Sequence, residues 1–229
     1  DALPISTKNI LNKMGIPVQG TTVAIQGMGN VGSITAKLLH REGMKIIAVS
    51  DVSGGICNPQ GLNVPAILDY LSLNRKNLLK DYNEEGMSRI TNEELLEMDA
   101  RVLVPAALEN QINASNAHKI RAEIIVEAAN GPVAADADGI LQERGITVVP
   151  DILANAGGVV VSYFEWVQNI QSVSWTEEEV NEKLKDIIDP AFEAVWDIAK
   201  RQNATLRTGA YLIAVKRVVE AKAARAIWP

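Results

Sequence analysis

An apolar run, Thr21-Thr22-Val23-Ala24-Ile25-Gln26, passes directly into Gly27-Met28-Gly29-Asn30-Val31-Gly32. A G-x-G-x-x-G turn between a strand and a helix suits one kind of ligand chemistry, the binding of a pyrophosphate. Gly27 permits a tight turn, Gly29 lets the ligand approach bare backbone, and Gly32 lets the helix pack closely on the strand. The following helix aims unpaired N–H groups and the positive end of its dipole at the phosphates. Asp51 lies 19 residues beyond Gly32 and closes a second apolar run, Lys45-Ile46-Ile47-Ala48-Val49-Ser50. An acid there can accept hydrogen bonds from adenosine ribose hydroxyls. The plainer reading makes it a turn residue ahead of Gly54-Gly55.

Further along, three apolar runs end in similar punctuation. Val104 leads to Pro105-Ala106-Ala107, Val126 to Glu127-Ala128-Ala129-Asn130-Gly131-Pro132, and Val149 to Pro150-Asp151. Ligands of open α/β sheets sit outside the carboxyl ends of the strands. Small residues leave room there, and Asn130 offers both a donor and an acceptor. In Asp151–Trp166, a helix starting near Asn155 would align Asn155, Val159, Ser162 and Trp166 on one stripe. Asn155 could then pair with a carboxamide and Ser162 donate to a carboxylate. Equally, Asn155 could be an N-cap and Ser162 a filler. The adjacent Gly157 and Gly158 cost helix stability, which suits something approaching the backbone.

The elements that must position these residues alternate. Strands are expected at 21–26, 45–50, 101–104, 123–126 and 146–149. Helices are expected near 31–42, 63–73, 92–98, 113–120 and 136–144, the first closed by Gly43. The strands read as unbroken apolar runs, as in a parallel sheet buried on both faces. Right-handed crossovers then give an α/β, Rossmann-like, doubly wound and mostly parallel sheet. The polar stretch Asn74–Arg89 reads as a surface loop or short helix. Beyond residue 150 only helices are expected: a capping box, Thr176-x-x-Glu179, opens one running to about Asn203 with a bend at Pro190, and a last covers Thr208–Ala226.

Composition narrows the function classes. The chain has 229 residues, 22% of them charged, and a net charge of −6. Without a basic run, nucleic acid is excluded as a partner. No segment reaches the ~18 apolar residues of a membrane span. One cysteine, Cys57, cannot form an intrachain disulfide and suits a reducing cytoplasm. Two histidines, His40 and His118, lie far apart, so no metal site is expected. Asp1-Ala2-Leu3-Pro4-Ile5-Ser6 matches the translation of a common sequencing adaptor in one frame, so an artificial truncation is expected.

The runs AIQGMGNVG, VSDVSGGICNPQGL, VPAALENQI, EAANGP and VPDILANAGGVVVSYFEWVQN resemble the C-terminal, dinucleotide-binding half of glutamate dehydrogenases. More broadly they resemble the glutamate/leucine/phenylalanine/valine dehydrogenases, from Thr7 to Pro229. The resemblance implies that residues 1–229 form an NAD(P)-binding domain of an enzyme that deaminates glutamate oxidatively to 2-oxoglutarate and ammonia. It implies that Gly27, Gly29, Asn30, Val31 and Gly32 hold the pyrophosphate. Asp51 would meet the adenosine ribose, and Ala106 and Ala107 would line the adenosine side. Asn130 and Asn155 would contact the nicotinamide ribose and carboxamide. Val159 and Ser162 would reach the substrate, with Ser162 on its side-chain carboxylate.

The family's catalytic lysine lies in an upstream lysine–glycine–glycine loop that does not occur here, so the chain alone is expected to bind cofactor weakly and turn over nothing. Asp51 disfavours a 2′-phosphate and neither Val52 nor Ser53 is a cation, which leans toward NAD over NADP. Replacing Asp51 with serine should therefore raise NADP affinity relative to NAD. The resemblance also implies hexamers. A leucine, phenylalanine or valine dehydrogenase half and a non-catalytic NAD-binding module are the alternatives.

Overall fold

A computed structural model describes residues 2–225; the expected start at Asp1 and the end of the last helix at Ala226 lie outside the described residues. A seven-stranded sheet runs through its centre in the order β4-β3-β2-β1-β5-β6-β7. The strands are β1 (Thr22–Gln26), β2 (Lys45–Asp51), β3 (Gly54–Cys57), β4 (Ser88–Ile90), β5 (Val102–Pro105), β6 (Ile124–Val126) and β7 (Thr147–Val149). The five expected strands are all present and mutually parallel. The sheet is Rossmann-like and doubly wound, and its strand order reverses between β1 and β5.

Two-sided burial explains the apolar runs. Val23 and Ile25 face one core with Val102, Val104, Ile124 and Val126. The intervening Ala24, Leu103 and Ile125 face the other. The first core is covered by α1 (Ala2–Lys13), α2 (Asn30–Arg41), α3 (Val64–Leu73), α8 (Glu177–Gln202) and α9 (Leu206–Ala224). The second is covered by α4 (Asn92–Leu96) and α5 (Ala135–Glu143). Side chains alternate across the pleat, so each strand feeds both layers.

Four expectations are corrected. Strands β3 and β4 add an antiparallel edge where no strand was expected, with a short 3₁₀ turn, Leu79–Asp81, between them. Gly54-Gly55 hides β3, because glycine is a poor strand former. A Cβ on Gly55 would lie 2.8 Å from Ile90 Cγ1, so close strand packing requires the glycine. The polar segment 74–89 carries Leu79, which is fully buried. No helix forms over 113–120, only a single 3₁₀ turn at Ala117–Lys119. There the Asn113 side chain accepts from Ser115 N–H at 3.0 Å, and Asn116 Nδ2 donates to the Gln111 carbonyl at 2.8 Å. Such contacts compete with the helical ladder.

Finally, Ala2–Lys13 forms a helix where no element was expected. It buries Leu3, Ile10 and Leu11 in the main core, and Asn9 Nδ2 donates to Asp189 Oδ1 on α8 at 2.8 Å. The expected capping box is present: Glu179 N–H donates to Thr176 Oγ1, and Thr176 N–H to Glu179 Oε2. Helix α8 continues through Pro190. No helix among the described residues is long and apolar enough to cross a membrane.

Candidate functional site

The glycine turn sits at the carboxyl end of β1, where the strand order reverses. Gly27 has φ +93°, in the left-handed region that favours glycine. A Cβ on Gly32 would lie 1.8 Å from the Gly27 carbonyl oxygen, so α2 approaches the turn as closely as its bare backbone permits. Gly29 differs from both. Its φ is −73°, open to any residue, and a Cβ there would meet nothing within 4 Å. It caps α2 without a side-chain hydrogen bond. The first-turn N–H groups of the helix therefore face outward. A cleft of about 1140 Å³ opens here, lined by Gly27, Gly29, Asn30, Asp51, Ala106 and Ala107 among others.

Asp51 lies at the rim of this cleft, but its carboxylate already has work. Oδ1 accepts from the Ser53 N–H at 2.7 Å and from the Ser53 hydroxyl. Oδ2 accepts from the Leu79 N–H at 2.7 Å. Asp51 thus ties the β2–β3 turn to the buried segment around Leu79. In geometry Asp51 organises the turn and also lines the cleft. Arg75, at the carboxyl side of α3, lines the same cleft and makes no ion pair among the described residues. A cation distant in sequence therefore stands in the cleft that Val52 and Ser53 left without one.

A second cleft of about 710 Å³ shares Ala106 and Ala107 with the first and continues over Val31, Asn130, Asn155 and Val159. Asn155 does not begin a helix. It caps the carboxyl end of α6 (Asp151–Ala154), and α7 (Gly157–Gln171) starts after it. The expected single stripe is therefore broken, although Val159 still lines the cleft with Asn155. Asn155 Nδ2 donates to Asn130 Oδ1 at 2.7 Å. Ser162 lies farther along α7, exposed and outside the lining of either cleft. Gly157 is accounted for by packing, since a Cβ there would lie 2.5 Å from Ala2 Cβ; Gly158 meets nothing. Glu109 is the only ionisable residue lining this second cleft among the described residues.

Beneath the Asn130 turn lies a network that sequence reasoning missed. Glu127, fully buried just beyond β6, accepts from Arg207 Nη2 on α9 at 2.8 Å. It also accepts from the Val133 N–H at 3.2 Å and, through its other oxygen, from the Asp151 N–H at 2.7 Å. Burial pushes the Glu127 carboxyl above its ordinary range, against the opposing pull of Arg207. Arg207 Nε further donates to Asp138 Oδ2 at 2.9 Å. The only sequence signal was a lone acid directly after an apolar strand.

Sheet, switch point and glycine turn together define a doubly wound α/β fold with clefts at the carboxyl ends of its strands. Residues 3–226 match the family model for glutamate/leucine/phenylalanine/valine dehydrogenases, and the chain belongs to that family. It is 48% identical over 217 residues to the catabolic NAD-specific glutamate dehydrogenase RocG of Bacillus subtilis, covering 95% of this chain and 50% of that protein. It is also 48% identical over 225 residues to the NADP-specific glutamate dehydrogenase A1 of Halobacterium salinarum, covering 98% and 53%. Among solved structures, a hetero-hexameric glutamate dehydrogenase of Thermus thermophilus, in a leucine-bound form, superposes with a TM-score of 0.90 at 32% identity. That alignment covers 100% of this chain and 53% of the other. The chain thus spans about half the length of these relatives.

Proposed function

We propose that residues 1–229 are the NAD(P)-binding domain of a glutamate dehydrogenase, which converts L-glutamate, NAD(P)+ and water to 2-oxoglutarate, ammonia and NAD(P)H. Gly29 carries this reading. Neither its backbone angle nor any neighbour requires a glycine, whereas Gly27 and Gly32 are each explained within the chain. A ligand pressed against the backbone at the amino end of α2 supplies the missing reason. The bound nicotinamide supplies a hydride acceptor; the residues of this chain bind and orient it.

Gly27, Gly29, Asn30, Val31 and Gly32 cradle the pyrophosphate. Asp51, with acceptor capacity beyond its present bonds, meets the adenosine ribose. Ala106 and Ala107 form a wall shared by both clefts. The Asn130–Asn155 bond leaves Asn155 Oδ1 as acceptor and Asn130 Nδ2 as donor, a pair complementary to the nicotinamide carboxamide. Val159 and Ser162 face the substrate, and the Ser162 hydroxyl suits a glutamate carboxylate better than an apolar side chain. Asp51 disfavours a 2′-phosphate and makes NAD the preferred cofactor, while Arg75 gives NADP a counter-charge.

Hydride transfer from an amine carbon also needs a proton-transfer group and a fixed positive charge near the developing imine. Among the described residues, neither cleft is lined by a lysine. This segment by itself therefore binds cofactor without turnover. The complete enzyme works in the cytoplasm as a homo-oligomer of six subunits; the single cysteine supports the compartment, and the Thermus relative, itself a hetero-hexamer, supports the number of subunits.

The test is a titration of the 229-residue chain with NADH, beside its Gly29→Ala variant. We expect binding to the wild type, a loss of at least about tenfold in the variant from steric exclusion of the ligand, and an unchanged melting temperature. No binding by the wild type, or equal affinity of the two, overturns the reading. A glutamate-dependent NADH signal from the chain alone would overturn the expected inactivity.

A further inference from the structure

Arg207 lines neither cleft, yet the polar groups of the nicotinamide end hang from its partners. It stands in the first turn of α9, with its side chain 17% exposed, and meets three carboxylates brought from three other elements. Nη2 bonds Glu127 Oε1, Nε bonds Asp138 Oδ2, and Nη1 pairs with Asp151 Oδ1 at 3.5 Å. Two of these acids in turn hold backbone. Glu127 accepts from the N–H groups of Val133 and Asp151. Asp151 Oδ2 accepts from the Gly131 N–H at 2.8 Å. Gly131, at φ +55°, follows Asn130 directly, and Asp151 opens the short helix that Asn155 closes. Both amides are thus seated on one pair of carboxylates.

We propose that Arg207 is a positioning residue for the nicotinamide end of the cofactor, holding the Asn130–Asn155 pair in register through Glu127 and Asp151. This rests on the cofactor site proposed above. The physical reason is charge. Glu127 is fully buried, and beside it Asp151 and Asp138 add two more negative groups. A single guanidinium, a planar fork with five donors, can meet all three at once. Without it, Glu127 becomes a buried charge with no counter-charge beside a like one, the costly case. It must then take up a proton or swing away. A protonated carboxyl turns one of its acceptor oxygens into a donor, so the Asp151 or Val133 N–H loses its partner. The turn at 127–133 and the start of α6 then relax together. The phosphate cradle is built on β1 and α2 and takes no bond from this network.

That separation gives the test. ADP-ribose probes the adenosine and phosphate end alone, whereas NADH probes both ends. In the 229-residue chain, Arg207→Met should weaken NADH at least about fivefold by loosening the supporting shell, and leave ADP-ribose within a factor of about two. Arg207→Lys keeps the charge without the fork and should recover part of the NADH affinity. Asp151→Asn keeps an acceptor for Gly131 but removes its charge, and serves if Arg207→Met does not fold. Equal losses for both ligands, no loss for either, or collapse of all three variants would reduce Arg207 to a structural tie and overturn the proposal. Equal affinity of the wild type for NADH and ADP-ribose would overturn it too, by removing the nicotinamide end from the site. Failure of the wild type to bind ADP-ribose would instead refute the cofactor site itself.

Discussion

The end of the cleft proposed for the phosphates is made of backbone, and the far end of side chains. At the first, Gly27 turns the chain, Gly32 brings α2 to within contact of the Gly27 carbonyl, and the helix start leaves N–H groups facing outward. All of this lies within a few residues of the β1–α2 junction. At the second, Asn130 and Asn155 come from different elements, and what steadies them arrives from α9, 80 residues beyond Glu127. The difference is one of failure mode. A backbone cradle offers little to tune, and at Gly32 it admits no added carbon. A side-chain network tolerates change and can be adjusted from a distance.

The sharpest way to break this contrast is Gly32→Ala. The added carbon would sit 1.8 Å from a carbonyl oxygen that cannot rotate away. We expect a stability loss of about 3 kcal/mol or more from overpacking and no measurable NADH binding. A denaturant melt and a titration check both, and a well-folded variant that binds normally would show that the cradle is not rigid.

Next in size comes Asp51→Ser. It leaves the Leu79 N–H and the turn at Ser53 short of an acceptor, for a stability loss of about 1–3 kcal/mol. It should also raise NADP affinity relative to NAD. Arg75→Gln, an exposed change, should move that ratio the other way at no cost in stability. Parallel titrations with both cofactors read the two ratios. Movement in the same direction would mean that charge does not set cofactor choice at this end.

The smallest effect is a slope. Burial, reinforced by the negative charge of Asp151, holds the Glu127 carboxyl above its ordinary 4.5 despite Arg207 beside it. A raised folded-state value favours the protonated form in the folded chain. Its contribution to stability is therefore full below pH 4.5 and is lost as pH rises through the folded value. Asp138 and Asp151, the other acids around Arg207, remain in both proteins. Glu127→Gln lacks this titration, so wild-type stability relative to the variant should fall from pH 4.5 toward neutrality. Urea melts across that range check the sign, and a rising difference would mean that the guanidinium outweighs burial.

Much of this molecule is written locally. Ile124-Ile125-Val126 announces a strand because both of its faces must be apolar, and the same holds for β1, β2 and β5. Thr176 and Glu179 mark the start of α8 because a capping box closes within one turn. The glycine turn is legible because its constraints are backbone angles and contacts among near neighbours. Where local signals misled, side chains overrode them. Asn113 and Asn116 bonded backbone in place of a helix, and Gly54-Gly55 concealed a strand that only the Ile90 side chain across the sheet explains.

Tertiary structure alone decided the rest. Gly157 looked like room for a ligand until the packing of α1 put Ala2 against it. Arg75, just beyond the end of α3, joins Asp51 in the cleft only once the chain has folded. Arg207 carried no signal at all in its own neighbourhood. Its role exists only because folding buries Glu127 and folds α9 back over it. A buried charge must find its partner in space, and no rule of spacing along a chain says which distant residue that partner will be.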